Sequence, residues 1–232
     1  MKKALIIDAR YFDIAKENWG NDFDIIPTLC LLNVCEAISY HADVSLTNVC
    51  GKLICAPSSY DYYSEKLKPY NIDLIKGVLD PVCHYPSDSA YNVAVAKTSA
   101  FFKKGVIDEA VLSVIREKGL REIYVNQGYA KCSSVVANDS IITADSSIYK
   151  ACIDNGVDCL KITEGDVKLF PYDYGFLGGA SGFFDGTVYF FGDVTKHKDY
   201  EKIKDFLNKK GIKIKYIKNF PLTDIGTAFF PY

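Results

Sequence analysis

The stretch KCSSVVANDSIITADSSIYKACIDNGVDCLKI, residues 131–162, decides how the rest of the chain is read. A β-branched run through Val135 and Val136 meets Asn138-Asp139, a pair suited to a tight hairpin turn, after which Ile141 and Ile142 resume the extended pattern. A helical stretch follows and stops at Gly156, the residue expected just past a helix end, before a short apolar strand. The order is strand, turn, strand, helix, strand. Cys132 stands at its beginning, and the stretch alone leaves open whether its sulfur fills a core or is held where a reactant can reach it.

Three other segments repeat this order at a spacing of roughly 40 to 50 residues, the signature of a repeat architecture. In HADVSLTNVCGKLICAPSSYDYYSEKLKPYNIDLI, strands over Val44 to Val49 and Leu53 to Cys55 flank the turn Cys50-Gly51-Lys52. In YNVAVAKTSAFFKKGVIDEAVLSVIREKGLREIYV, a helix over Ile107 to Lys118 is closed by Gly119. In GGASGFFDGTVYFFGDVTKHKDYEKIKDFLNKKGIKIKYI, Asp185-Gly186 turns between aromatic-rich strands and Gly211 ends the helix. Each unit reads ββαβ and cannot cover both faces of its own sheet, so neighbouring units must pack together. A fifth unit forms when the tail DIGTAFFPY, the N-terminal KALIID and the segment to Phe23 to Pro27 are joined. Closure of that kind removes exposed sheet edges. The expectation is an α/β fold of about five ββαβ units around a pseudo-fivefold axis, the last shared by both termini, in one domain over residues 1–232. The alternative is a mixed α/β sandwich in which the units are only the common alternation of hairpins and helices. Glycines at three helix ends, with hairpins at matching offsets, favour the ring.

Composition narrows the class. With 49% hydrophobic and 24% charged residues the chain is an ordinary globular sequence with enough apolar side chains to build a core. Ala4 to Ile7 is too short an apolar run for a signal peptide, and no span approaches the ~20 apolar residues that cross a bilayer. The expected location is therefore the cytoplasm, with the eight cysteines reduced. They form no CxxC pair and no Cys/His ladder at zinc spacing, so a metal site is not expected. A net charge of −2 supplies no attraction to phosphate backbones, which argues against nucleic acid as a partner. The lysine-rich stretch that holds His197 also carries Asp199, Glu201 and Asp205 and reads as a solvated helix face. His84 reads as loop, and Cys50, Cys55, Cys152 and Cys159 as packed thiols.

Three short motifs carry a resemblance. His41-Ala42-Asp43, opening the first hairpin, resembles the HxD motif of the pentein, or β/α-propeller, superfamily, which includes arginine deiminases, dimethylarginine dimethylaminohydrolases and amidinotransferases. Tyr91-Asn92-Val93 is similar to the Asn-Val dipeptide opening that superfamily's next unit, and QGYAKCSS, residues 127–134, resembles the segment bearing its nucleophilic cysteine. The three occur in the superfamily's order, about one unit apart. Further units follow Cys132 where the enzymes' nucleophilic unit is usually last, a difference that a circular shift of the chain explains. The acidic motif departs further: a Gly-Gly-Asp type segment is replaced by Leu222-Thr223-Asp224-Ile225-Gly226, and Gly178-Gly179 is followed by Ala180.

The resemblance implies a cofactor-free hydrolase or transferase acting on a small guanidino compound. Cys132 would be the nucleophile, forming a thiouronium, and His41 the general acid and base. Asp43, placed on the same face as His41 by an extended strand, would orient the imidazole or bind the guanidinium. Asp224 or Asp88 would supply a second carboxylate, Lys131 would favour thiolate or bind a substrate carboxylate, and Asn92 would line the same site. Read alone, Cys132 is more often a small core residue, His41 a loop histidine and Asp88 a turn cap. The same superfamily also contains a ribosome anti-association factor without catalysis, so a binding or regulatory protein is the other functional class.

Overall fold

The computed structural model describes residues 2–232. Four segments form three-stranded sheets of one design, an antiparallel hairpin followed by a helix and a strand parallel to the hairpin's second arm. The N-terminal region contributes β1 (Lys3–Ile7), α1 (Phe12–Trp19) and β2 (Phe23–Pro27), the two strands being parallel. The first complete unit is α2 (Ala42–Ser45), β3 (Leu46–Val49), β4 (Lys52–Cys55), α3 (Tyr60–Leu67) and β5 (Asp73–Lys76). The second is β6 (Ala94–Val95), β7 (Ser99–Lys103), α4 (Glu109–Glu117) and β8 (Arg121–Val125). The third is β9 (Ser134–Ala137), β10 (Ser140–Thr143), α5 (Ser146–Asp154) and β11 (Asp158–Lys161). The fourth is β12 (Ser181–Phe184), β13 (Thr187–Phe190), α6 (Tyr200–Asn208) and β14 (Lys213–Tyr216).

The local chemistry accounts for the boundaries. Asp108 and Asp145 cap α4 and α5, their carboxylates accepting from backbone N–H groups of the first turn that the helix leaves unpaired. Gly119, Gly156 and Gly211 follow three of the helices at φ of 65°, 67° and 68°, the left-handed value that a side chain would resist.

The core is divided, and each part is shared by two consecutive units. Val49 and Ile54 pack with Phe102, Val111 and Ile115; Phe101 and Ile123 with Ile141 and Ile148; Val135 and Ile142 with Phe190, Ile203 and Leu207. The N-terminal strands join both sides of this sequence. Leu5, Trp19 and Phe23 pack with Tyr189 and Phe191, while Ile6 and Ile26 pack with Leu46, Leu53 and Tyr63. The tail lies between: Phe229 and Ile6 exchange two backbone hydrogen bonds of 2.9 and 3.0 Å, and Asn48 Nδ2 donates to the Phe230 carbonyl at 3.2 Å. Joining the two ends of the chain is thus a matter of paired backbone as well as buried side chains.

Three expectations need correction. The first hairpin strand begins at Leu46 rather than Val44, because Ala42–Ser45 is one buried helical turn. Asp43 N–H donates to the Gly226 carbonyl at 3.2 Å and Leu46 N–H to Ala42, so the chain coils before it extends. Asp43 therefore does not share a strand face with His41. Cys50 is exposed at a turn with φ of 50°, where a side chain points away from the core, although Cys55 and Cys152 are buried as expected. His197 is buried, its Nδ1 accepting from the Asp199 N–H at 3.0 Å, so it is removed from the solvated face on which its neighbours lie. No helix among the described residues is long and apolar enough to cross a membrane.

Candidate active site

The residues that open the hairpins come together. His41 and Asp43 precede β3, Asn92 precedes β6, Cys132 precedes β9, Gly178 and Gly179 precede β12, and Asp224 to Thr227 precede Phe229, where the tail bridges to β1. Repetition of one unit brings the same end of each hairpin to one place, and distant positions in sequence become neighbours. His41, Asp43 and Cys132 each offer a ligand atom within 4.8 Å of the others, and all three are buried.

Cys132 sits in a turn two residues ahead of β9, fixed from both sides. The Asn92 side-chain oxygen accepts from the backbone N–H of Lys131 at 2.7 Å and of Cys132 at 3.1 Å, while its amide nitrogen donates to Sγ at 3.4 Å and to the Asp43 carbonyl at 3.3 Å. Asn92 thereby spends both ends of its amide on holding the cysteine turn against the His41 turn. Behind the turn, the Gly179 N–H donates to the Cys132 carbonyl at 2.8 Å, and a Cβ at Gly178 would overlap the carbonyls of Lys131, Cys132 and Ser134. The thiol donates to Asp43 Oδ2 at 2.8 Å, which also accepts from Thr227 Oγ1 at 2.7 Å. Burial, reinforced by Asp43 and Asp224, pushes the Cys132 thiol well above its ordinary range, so the sulfur is protonated. Burial likewise raises Asp43, against the thiol and Thr227 bonds that favour its charge, and Oδ1 has no hydrogen-bond partner among the described residues.

His41 stands between two carboxylates without bonding either: Nε2 is 4.0 Å from Asp8 Oδ2 and Nδ1 is 4.0 Å from Asp224 Oδ1. Neither ring nitrogen has a hydrogen-bond partner among the described residues. Burial, helped by the Arg10 charge, lowers its pKa to about 3, and the ring is neutral. Asp8 follows β1, is buried, and is clasped by the Arg10 guanidinium at 2.6 Å. Asp224 accepts from Phe176 N–H at 2.9 Å and Gly226 N–H at 3.0 Å, yet burial pushes it up to about 7. Gly179 makes this approach possible, because a Cβ there would overlap the Asp224 carboxylate. The double glycine of the sequence thus packs against an acid supplied from another unit.

The two neutral groups have opposite consequences for stability with pH. His41, depressed from 6.5 to about 3, contributes stability that is present above 6.5 and lost as pH falls toward 3. Asp224, raised from 3.8 to about 7, contributes stability that is present below 3.8 and lost as pH rises through 7. Between roughly pH 4 and 6.5 the two slopes cancel. Relative to the parent protein, Asp224→Asn is expected to lose stability on acidification across that window, by on the order of 1 kcal/mol per pH unit, and His41→Gln to lose it on alkalinisation. Denaturant melts at several pH values check this; parallel profiles for both variants would contradict it.

The other candidates occupy different positions. Lys131 is buried, and Nζ donates to the Gly178 carbonyl at 3.1 Å and Thr227 Oγ1 at 3.2 Å, facing a second cavity of about 380 Å³. Asp88 accepts from the Tyr129 hydroxyl at 2.6 Å, one side chain behind the cavity wall. Asp8 and Thr227 were not singled out from sequence, and Gly179 and Gly226 were noted there only as parts of their segments, without a role. For Asp224 to Thr227 the signal was their place one unit before HxD in ring order; for Asp8 it was an acid at the end of an apolar strand beside an arginine.

His41, Cys132 and Asp224 lie at the base of a cavity of about 500 Å³ whose walls are mainly aromatic, including Tyr85, Tyr129 and Tyr174. That is the size and character of a small-molecule site. The three clustered donors are also of types that bind metal ions, although the thiol and Asp43 are bonded to each other.

Comparison with known proteins agrees with this architecture. A family of unknown function, DUF6873, matches residues 6–229. No curated protein sequence matches. Among solved structures, the agmatine deiminase of C. jejuni superposes with a TM-score of 0.53 at 10% identity, over 94% of this chain and 88% of that one. The dimethylarginine dimethylaminohydrolase of Pseudomonas aeruginosa, a cysteine-to-serine mutant complexed with citrulline, gives 0.55 at 9% identity, over 94% and 92%. An amidinotransferase of the saxitoxin biosynthetic pathway from Microseira wollei gives 0.53 at 10% identity, over 100% and 94%. The match over residues 6–229 makes this chain a member of DUF6873, and the superpositions give it the pentein fold that the repeat and three motifs in sequence lead one to expect.

Proposed function

We propose that the chain is a cytoplasmic, cysteine-dependent amidino hydrolase or amidinotransferase for a small guanidino compound, built as a single domain of five ββαβ units around a central axis. The observation that carries the reading is the approach of the Cys132 sulfur, the His41 ring and the Asp43 carboxylate to within 4.8 Å of one another beneath a cavity. The five-unit ring is supported by the shared sub-cores and by the pairing of the tail with β1.

In this reading a guanidinium enters between Asp43 and Asp224. A unit positive charge about 4 Å from the sulfur, at an effective dielectric near 20, favours thiolate by about 4 kcal/mol, or about three pKa units. The substrate then activates its own nucleophile. The thiol proton passes to Asp43, already its hydrogen-bond acceptor, as sulfur bonds to the amidino carbon. The departing amine leaves with that proton, directly or through the neutral His41 ring, and a thiouronium cation remains. Attack by water, its proton taken by His41, expels the sulfur, gives a ureido product and restores the thiol; attack by a second amine gives transfer instead.

Labelling tests this. A 2-haloacetamidine carries the cation that the site selects and is expected to alkylate Cys132 ahead of the other seven cysteines, whereas neutral iodoacetamide modifies exposed Cys50 and Cys83 first. Uniform labelling by the amidine, or none before denaturation, contradicts the reading. A second reading rests on the same three donors holding a divalent ion; stoichiometric metal in the purified protein, with loss of stability on chelation, would favour it.

A further inference from the structure

The cavity that leads to Cys132 differs in its charges from one that receives an amino acid. Among the described residues its lining contains no lysine and no arginine; its charged groups are Asp173 and Asp224, beside His41. The nearest cations are committed elsewhere. Arg10 is clasped to Asp8 at 2.6 Å and donates to the Ala37 carbonyl at 3.0 Å, and Lys131 faces the second cavity. The upper walls are aromatic: Tyr85, Tyr129, Tyr172, Tyr174 and Phe176, with Asp173 exposed between two of the tyrosines.

A guanidinium seated at Cys132 directs the rest of its molecule along these walls. A carboxylate carried on that tail would be desolvated against tyrosine rings with no cationic partner, and would stand on the same side as Asp173. Such burial is unfavourable without pairing. An uncharged tail loses nothing there, and a cationic one gains the ring faces and Asp173.

Resting on the reading of the site given above, we infer that the substrate is a carboxylate-free guanidine, an amidino group on a neutral or cationic body, and that the tyrosine wall with Asp173 sets this specificity. The contribution of the tail separates from that of the amidino group because arginine and decarboxylated arginine (agmatine) share the guanidinium and spacer and differ by one carboxylate.

Binding to the full chain carrying Cys132→Ser, which removes turnover, is measured by calorimetry for agmatine, arginine and arginine methyl ester. Agmatine is expected to bind at least about tenfold more tightly than arginine. The ester, which keeps the bulk and removes the charge, is expected to match agmatine within a few-fold. Asp173→Lys narrows or reverses the agmatine preference. Arginine binding as tightly as agmatine overturns the inference while leaving the guanidino reading intact, as does an ester as weak as arginine. Failure of all three, and of guanidinium itself, to bind overturns both.

Discussion

If the proposed chemistry holds, replacing Cys132 by serine is expected to lower turnover of a guanidino substrate by at least about a thousand-fold, the scale on which loss of a covalent nucleophile is felt, and to leave the fold within about 1 kcal/mol of the parent. The two halves of this result have separate causes. Serine keeps a donor for Asp43 Oδ2, which now accepts the thiol at 2.8 Å, and it leaves untouched the backbone bonds from Lys131 and Cys132 to Asn92. A hydroxyl is a far weaker nucleophile than a thiolate, and a nearby guanidinium does not lower its pKa into a useful range. Circular dichroism and a denaturant melt check the second half, product assay the first. A serine variant with parental activity would place the chemistry elsewhere.

Gly226→Ala is expected to cost about 2–5 kcal/mol and to reduce activity more than that loss of folded protein explains. Two penalties combine. Gly226 has φ of +62°, where an L side chain costs about 1–2 kcal/mol, and its Cβ would overlap the Cβ and Cγ of His41, an overpacking worth another 1–3. The melting temperature falls by roughly 4–20 °C for a chain of this size. Gly186→Ala is the control, since φ is +68° but nothing lies within 4 Å of the added methyl. It carries the backbone cost alone and leaves activity unchanged. Equal effects of the two substitutions would mean that the contact with His41 does not matter.

The repeat was legible because its signals are local. Hairpin pairs such as Asn138-Asp139 and helix-ending glycines such as Gly156 act through their own backbone preferences, and they recur at one spacing. The coil at Ala42–Ser45 was not legible, because the bond that draws Asp43 toward Gly226 joins residues at opposite ends of the chain. The same holds for the site. Cys132, His41 and Asp224 could be named because each opens a unit, and the repeat brings the openings together. Roles that depend on direction were hidden. Lys131 follows from sequence only as a cation beside a cysteine, whereas packing against Gly178 and Thr227 turns its ammonium away toward the second cavity. Asn92 looked like one more polar lining group, but both ends of its amide are used on backbone and sulfur.

The account depends most on one physical statement, that the empty site keeps Cys132 as a thiol and a bound guanidinium converts it to thiolate. Thiolate absorbance near 240 nm, taken as the difference between the parent protein and Cys132→Ser, measures this directly. At pH 8 the difference is expected to be absent without ligand and to appear on saturation with a guanidino ligand that does not turn over. A thiolate already present in the empty protein, or a thiol that stays protonated with the ligand bound, would contradict it.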